Sequence, residues 1–97
     1  MEWEVRFELI KRAGILKALA HPSRLHFIKQ LHENEHCVQE LAEMVDADVS
    51  TASKHLTLLK NAGIVQDEKR GAKVWYSLKV PCVLGFLSCL DEVISSK

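Results

Sequence analysis

The sequence predicts a mainly α-helical domain that carries one small β-hairpin. Two observations predict this fold class. Apolar residues recur at three- and four-residue intervals through most of the chain, which is the spacing of amphipathic helices. Between residues 64 and 78 this pattern changes to two short β-type runs around a glycine-containing turn. The 97 residues, 47% of them hydrophobic, predict one small domain over residues 1–97 with apolar surface to spare, which favours an oligomer.

Two helices are expected in the first third of the chain. The first covers about residues 3–19, where Leu9 and Leu16 lie on one apolar stripe. Pro22 suits the first position of the second helix, because the N–H group that proline lacks would have no helical partner there. This second helix is expected to run to about His32.

A polar break over residues 33–36 precedes two further helices that are joined by a short connection. The third helix is expected over about 38–45 and the fourth over 50–62. Asp48 is placed to cap the fourth helix by accepting hydrogen bonds from its unpaired N–H groups. Gly63 suits a left-handed cap at the other end.

The fourth helix has two unlike faces. Ala52, Leu56, Leu59 and Ala62 recur at helical spacing, so we expect them to face a core. Short hydrogen-bonding residues and cations fall mostly on the other side. A helix, a short turn and a polar-faced helix form the layout of a helix-turn-helix, whose second helix enters the major groove of DNA.

A hairpin and a last helix complete the chain. Residues 64–68 and 73–78 are the expected strands, and residues 69–72 form a basic turn between them. Pro81 opens a last helix that reaches about Ser95. Apolar residues cover two stripes of this helix, which predicts burial in the core or against another chain. Together, the four helices, the basic hairpin and the last helix predict a winged helix-turn-helix.

Charge is unevenly distributed, although the net charge is zero. Residues 33–48 hold six acids and no lysine or arginine, whereas residues 54–79 hold six cations and two acids. Such polarity suits a protein with one basic working face, and nucleic acid is the partner that fits that face.

The sequence also excludes several classes. No apolar run approaches the ~20 residues of a membrane span, and the N-terminus lacks the charge pattern of a signal peptide. Three cysteines without a close pairing motif then predict reduced thiols in a cytoplasmic protein with no membrane partner. There is no Cys-x-x-Cys, no Ser/His/Asp arrangement and no phosphate-binding loop, so an enzyme is not expected.

The combined motifs resemble the ArsR/SmtB family of bacterial and archaeal metal- and stress-sensing repressors. The segments that carry the resemblance are 16–25, 50–56, 59–65 and 74–78. They lie within about residues 10–80, which is most of the chain. The resemblance implies a homodimer whose first and last helices form the interface, and repression that is relieved when an inducer binds. A dimer would place two recognition helices ~34 Å apart on double-stranded operator DNA.

Residue type and resemblance together predict the DNA-contacting face. Serine, threonine and histidine side chains on the fourth helix are short enough to reach base edges or phosphates, whereas lysines and arginines suit phosphates. The predicted DNA-binding residues are Ser50, Thr51, Ser53, Lys54, His55, Lys60, Arg70 and Lys73. Arg24 is interpreted as a member of a structural ion pair rather than as a phosphate contact. Histidines 21, 26, 32 and 36 are interpreted as surface residues.

The cysteines are the candidates for sensing. Arsenic-responsive members of the family carry Cys-Val-Cys-Asp-Leu in the third helix, and the matching segment here keeps Cys37 but has Gln39 at the second cysteine position. The last helix has no histidine, so the zinc site of zinc-sensing members is not expected. Cys82 and Cys89 are two helical turns apart on one face, ~10 Å along the axis.

Three thiols without an imidazole suit a thiophilic ion. We therefore expect Cys37, Cys82 and Cys89 to bind an inducer, foremost As(III) or else Cd(II); no cofactor is required. The thiols would meet either when the last helix of a partner chain packs alongside or when Cys37 approaches one of the other two. Two alternatives remain open for these cysteines, a redox or persulfide switch and simple packing as small hydrophobes. For the whole protein, the alternatives are a repressor without an inducer and a winged-helix module that binds protein.

Overall fold

A computed structural model describes residues 1–96 of the chain. The elements of this part are α1 (Trp3–Leu19), α2 (Pro22–Glu33), β1 (His36–Cys37), α3 (Val38–Met44), α4 (Val49–Asn61), β2 (Val65–Arg70), β3 (Lys73–Leu78) and α5 (Val83–Ser95). The prediction of a mainly helical domain with a small hairpin is confirmed. The last helix begins at Val83, because Pro81 and Cys82 form a turn ahead of it.

The ends of α2 and α4 are fixed by side-chain caps. His21 precedes α2, and its Nδ1 accepts a hydrogen bond of 3.0 Å from the backbone N–H of Ser23. The carboxylate of Asp48 accepts a 2.7 Å bond from the N–H of Thr51, and this bond lowers the pKa of Asp48. Gly63, with φ +83°, ends the turn after α4 in the left-handed region that glycine tolerates. The predicted caps at Asp48 and Gly63 are confirmed.

The short strand β1 was not predicted. His36 lies opposite Tyr76 of β3 and Cys37 lies opposite Trp75, so the expected polar break ends in a two-residue strand. Two residues are too few to show an alternating pattern, which explains the miss. Cys37 then leads directly into α3, and its backbone N–H donates to Glu40 Oε1 at 3.1 Å.

The wing is the antiparallel hairpin of β2 and β3, which supplies two strands of a three-stranded sheet with the order β1-β3-β2. Its register runs from Val65 opposite Leu78 to Arg70 opposite Lys73. The turn is therefore Gly71 and Ala72 alone, two residues shorter than the predicted basic turn, and Gly71 supplies a φ of +61°. A two-residue hairpin turn needs such positive φ values.

The core lies between α2, α3, α4 and the sheet. Its largest fully buried side chains are Phe27, Ile28, Leu41, Leu56, Leu59 and Val65. The predicted buried face of α4 is confirmed at Ala52, Leu56 and Leu59, each with no exposed surface, and Ala62 is half-buried. This burial fixes α4 to the rest of the domain and determines which side of the helix faces outward.

Helices α1 and α5 lie largely outside this core. Leu19 is the buried residue of α1, and α5 has none, although Val83, Leu84 and Leu87 pack partly on the core. Both helices expose large apolar side chains, among them Trp3, Phe7, Leu9, Leu16, Phe86, Leu90, Val93 and Ile94. Exposed apolar patches of this kind mark surfaces that bind another protein.

Candidate DNA interface and thiol groups

The outward face of α4 presents hydrogen-bonding groups and a cation. Ser50, Thr51 and Lys54 are exposed, and Ser53 is half-buried beside them. Sequence reasoning missed Thr57, which is exposed one turn after Lys54 and whose hydroxyl donates to the carbonyl of Ser53 at 2.9 Å. The repeat of hydroxyl residues at positions 50, 53 and 57 was the signal for it. Ser50, Ser53, Lys54 and Thr57 border one shallow groove along the helix.

His55 does not share this outward face. Its ring packs toward the start of α2, with a centroid distance of 4.3 Å to the ring of His21 and 6.4 Å to that of Phe27. Burial, together with the nearby His21 and Arg24, lowers the pKa of His55. The structure therefore favours a packing role over the predicted contact with DNA, and His21 is half-buried rather than a free surface residue.

The predicted ion pair of Arg24 is wrong. Its Nε donates to the carbonyl of Ala18 at 2.6 Å, and its Nη1 donates to Nδ1 of His55 at 3.0 Å. The carbonyl belongs to the last turn of α1, where unpaired carbonyls and the helix dipole favour a cation. The role is still structural, but neutral acceptors replace the carboxylate that was expected.

Two of the predicted phosphate-binding cations have intramolecular partners. Lys60 Nζ lies 3.0 Å from Asp67 Oδ2. Arg70 Nη2 lies 3.0 Å from a carboxylate oxygen of Glu35 and 3.0 Å from one of Glu68, and Arg70 lowers the pKa of Glu35. Because Glu35 lies just before β1, Arg70 ties the wing to that loop.

The remaining predicted cations are differently placed. Lys54 on α4 and Lys73 on β3 are exposed and take part in none of the ion pairs found within residues 1–96. They can approach a phosphate without first leaving a carboxylate.

The three cysteines occupy different environments. Cys37 is buried at the start of α3, whereas Cys82 and Cys89 are exposed near and on α5, and all three are free thiols. The Cys89 thiol donates to the carbonyl of Gly85, with Sγ 3.3 Å from the oxygen. Within residues 1–96, no three His, Cys, Asp or Glu side chains converge in a way that could hold a metal ion. One chain alone therefore does not assemble the predicted three-cysteine site.

A helix-turn-helix of α3 and α4, followed by a β-hairpin and a further helix, defines the class of winged helix-turn-helix proteins. Residues 21–67 match the family described as bacterial regulatory protein, arsR family. The chain belongs to this ArsR family. In the described part of the chain, no helix is both long and apolar enough to cross a membrane.

Curated relatives agree with this assignment. The chain is 39% identical to the cadmium resistance transcriptional regulatory protein CadC of Listeria innocua, over 75% of this chain and 62% of that protein. It is 40% identical to the transcriptional repressor SmtB of Mycobacterium tuberculosis, over 73% of this chain and 53% of that protein. An uncharacterised transcriptional regulator of Methanocaldococcus jannaschii is 36% identical over 86% of this chain and 94% of its own length. All three are named as regulators of transcription, in agreement with the expectation of a non-enzymatic protein.

Solved structures share the whole fold. NolR from Sinorhizobium fredii superposes with a TM-score of 0.86 at 30% identity, over 96% of this chain and 93% of that one. The homodimeric winged helix-turn-helix domain of Mb0332 from Mycobacterium bovis superposes with a TM-score of 0.81 at 25% identity, over 98% and 88%. Helices α1 and α5, which lie outside residues 21–67, are thus part of the shared fold.

Proposed function

We propose that the protein is a dimeric transcriptional repressor that binds double-stranded operator DNA through α4 and the wing. One observation carries the proposal. Helix α4 is anchored by a fully buried face and turns Ser50, Thr51, Lys54 and Thr57 outward. Short hydroxyl side chains can reach base edges and phosphates from a helix in the major groove. SmtB, a relative at 40% identity, is named as a repressor.

The cations divide into two groups in this proposal. Lys54 and Lys73 bind phosphates directly and add affinity without reading sequence. Lys60 and Arg70 must exchange a carboxylate for a phosphate before they can contact DNA, so each adds less to binding. Wing placement depends on Arg70, because it joins β2 to the loop that holds Glu35.

The dimer is proposed to form through α1 and α5. Both helices expose large apolar side chains that one chain leaves uncovered, and the Mycobacterium bovis domain with the same fold is described as homodimeric. A two-fold dimer would bring two copies of α4 to successive major grooves, ~34 Å apart, on an inverted repeat.

Release is proposed to follow binding of a thiophilic ion, As(III) or Cd(II). Cys82 and Cys89 are exposed beside the proposed dimer face, so thiols from two chains can approach each other there. Cys37 is buried at the start of α3 and would join such a site only if that turn opened. One relative is named as a cadmium resistance regulator. An affinity change of ~10²-fold between free and ion-bound states lies within ordinary allosteric coupling.

The exposure of two thiols also favours a second candidate. Cys82 and Cys89 are accessible to oxidants, whereas Cys37 is not. An oxidant that accepts two electrons and two protons from a pair of these thiols would form a disulfide, and a persulfide donor that transfers its outer sulfur to one of them would form a persulfide. Either product would alter the same face of α5 and relieve repression without a metal.

Fluorescence anisotropy on the DNA upstream of the gene for this protein tests both candidates. The reduced protein is bound first, and arsenite, then cadmium and finally a persulfide donor are titrated in separate samples. We expect stoichiometric release by one of the ions, weakened in Cys82→Ser and Cys89→Ser but kept in the matched control Ser88→Ala. Release only by the persulfide donor would favour the redox candidate. Absence of a salt-dependent affinity for any duplex would contradict the repressor itself.

A further inference from the structure

We propose that Arg24 and His55 are positioning residues for the recognition helix and that they form an acid-labile clamp between α1, α2 and α4. The clamp is defined here as Ala18, His21, Arg24 and His55. This inference rests on the proposed DNA-binding function, because its purpose is to hold α4 at the angle at which Lys54 and Ser50 face DNA.

The clamp joins three helices through one side chain. Arg24, on the first turn of α2, donates from Nε to the carbonyl of Ala18 on α1 and from Nη1 to Nδ1 of His55 on α4. The other contacts between α2 and α4 are apolar contacts in the core. Such contacts are non-directional and do not fix the angle between the two helices. The guanidinium of Arg24 adds a directional hydrogen bond at the edge of that core. It bonds to His55, the residue that follows Lys54.

Both imidazoles of the clamp must be neutral for this arrangement to hold. Arginine has donors only, so Nδ1 of His55 accepts the bond from Arg24. Nδ1 of His21 accepts from the backbone N–H of Ser23, which caps α2. A proton on either Nδ1 would remove the acceptor and turn two donors toward each other. Protonation therefore breaks the clamp at His55 and the helix cap at His21.

The surroundings of His55 oppose its protonation. The titratable or charged groups found against its ring are His21, before α2, and Arg24, on α2; α1 contributes the neutral carbonyl of Ala18 through Arg24, and Phe27 is apolar. Burial, then His21 and Arg24, lower the pKa of His55 below 6.5. The unfolded chain thus binds this proton more readily than the folded chain does. Stability from the clamp is full above about pH 6.5 and is lost as the pH falls below it.

Breakage of the clamp and the added positive charge therefore change the affinity for DNA in opposite directions at low pH. Protonation of surface histidines adds positive charge, which strengthens binding to phosphates. Breakage of the clamp frees α4 to shift and weakens operator binding. A fall in affinity at low pH consequently reports the clamp and not the net charge.

The first test compares operator affinity at about pH 7.5 and about pH 5.5, on either side of an ordinary imidazole pKa. For the unmodified protein we expect the dissociation constant to rise about five- to tenfold at the lower pH, at the low end of allosteric coupling. In His55→Gln, the side-chain oxygen still accepts from Arg24 but cannot take up a proton, so this ratio should fall below about twofold.

Three further variants separate positioning from general structure. His55→Leu leaves Arg24 without its acceptor on α4, so this variant should bind operator more weakly than His55→Gln at about pH 7.5. Arg24→Lys cannot bridge Ala18 and His55 at once and should resemble His55→Leu. His32→Gln removes an exposed histidine outside the clamp and should keep the pH ratio of the unmodified protein.

A measurement without DNA tests the clamp independently of the proposed repressor function. NMR titration of the His55 ring should give a midpoint below about 6.5, the ordinary value of an imidazole, and Arg24→Lys should move it toward that value. If no duplex is bound at any pH, the repressor proposal fails, while this titration still decides the clamp. A midpoint for His55 at or above the ordinary imidazole value, or tighter operator binding at the lower pH, would overturn the clamp.

Discussion

The position of each cation on the surface decides whether it can bind a phosphate. Lys54 and Lys60 lie on the same helix and carry the same charge, yet of the two only Lys60 forms an ion pair, with Asp67 on β2. A phosphate that binds Lys60 must compete with that carboxylate, whereas one that binds Lys54 displaces only water and counterions. The two lysines should therefore differ in how strongly their removal affects DNA binding.

Replacement of Lys54 by alanine should weaken binding to all duplexes by a similar factor, since a phosphate contact carries no sequence information. The slope of log affinity against log salt should fall by about 0.9. Anisotropy titrations over a salt series, on an operator and on scrambled DNA, give both quantities. Lys29→Ala, an exposed lysine on α2, is the matched control and should leave the slope unchanged. A changed ranking of operator variants in Lys54→Ala would contradict the phosphate assignment.

At the scale of elements, the two faces of α4 have separate roles: one is buried in the core and the other is exposed. Leu56 and Leu59 hold the helix in the core, with no exposed surface, and the outward residues can then be varied without moving it.

Leu56→Ala should lower the free energy of unfolding by about 2–5 kcal/mol through lost burial and a cavity. Urea denaturation followed by circular dichroism measures this. Leu58→Ala, on the same helix but 48% exposed, should change it by less than about 0.5 kcal/mol; equal losses would show that the buried face is misassigned.

The position of the wing depends on a two-point contact from the Arg70 guanidinium to Glu35 that a lysine cannot make. Arg70 reaches both carboxylate oxygens of Glu35 and stands 5.7 Å from the ring centroid of Trp75. Arg70→Lys keeps the charge but loses the paired geometry. Amide hydrogen exchange at the Gly71 turn should become about twofold faster, a small change because exposed ion pairs contribute little. Lys69→Ala, a neighbouring cation outside the described ion pairs, serves as control; unchanged exchange in Arg70→Lys would remove the anchoring role.

The helices, the hairpin and the buried face of α4 could be predicted because each rests on a local pattern. Periodic leucines, a capping aspartate and a glycine after the last turn act within a few residues. His55 could not be placed in the same way. It lies at the border between the two faces of α4, and its partners Arg24 and His21 are distant in sequence, so only the fold shows which side it takes. The pairing of Arg70 with Glu35, 35 residues away, escaped prediction for the same reason. The pairing of Lys60 with Asp67, seven residues away, depends on how the chain turns from α4 into β2.

At the scale of the whole molecule, one chain leaves its apolar surface incomplete. The exposed side chains of α1 and α5 exceed what scattered surface residues require, and they lie on the two helices that contribute least to the core. The cysteines show the same incompleteness, because Cys82 and Cys89 meet no third ligand within residues 1–96. A second copy of the chain would cover the apolar side chains of α1 and α5. It would also bring further thiols close to Cys82 and Cys89.

Leu90→Glu tests this reading of the surface. Leu90 is 41% exposed in one chain, so a glutamate there is solvated in the monomer and should leave the fold intact. In the dimer the carboxylate would be buried twice by symmetry without a partner, at a cost of about 3 kcal/mol or more, which raises the dissociation constant about a hundredfold. Sedimentation velocity over a concentration series measures the shift toward monomer. Val49→Glu places the same charge on an exposed apolar position at the start of α4 and should leave the dimer intact. If Leu90→Glu sedimented as the unmodified protein does, α5 would not be the dimer face, and thiols from two chains could not meet beside it.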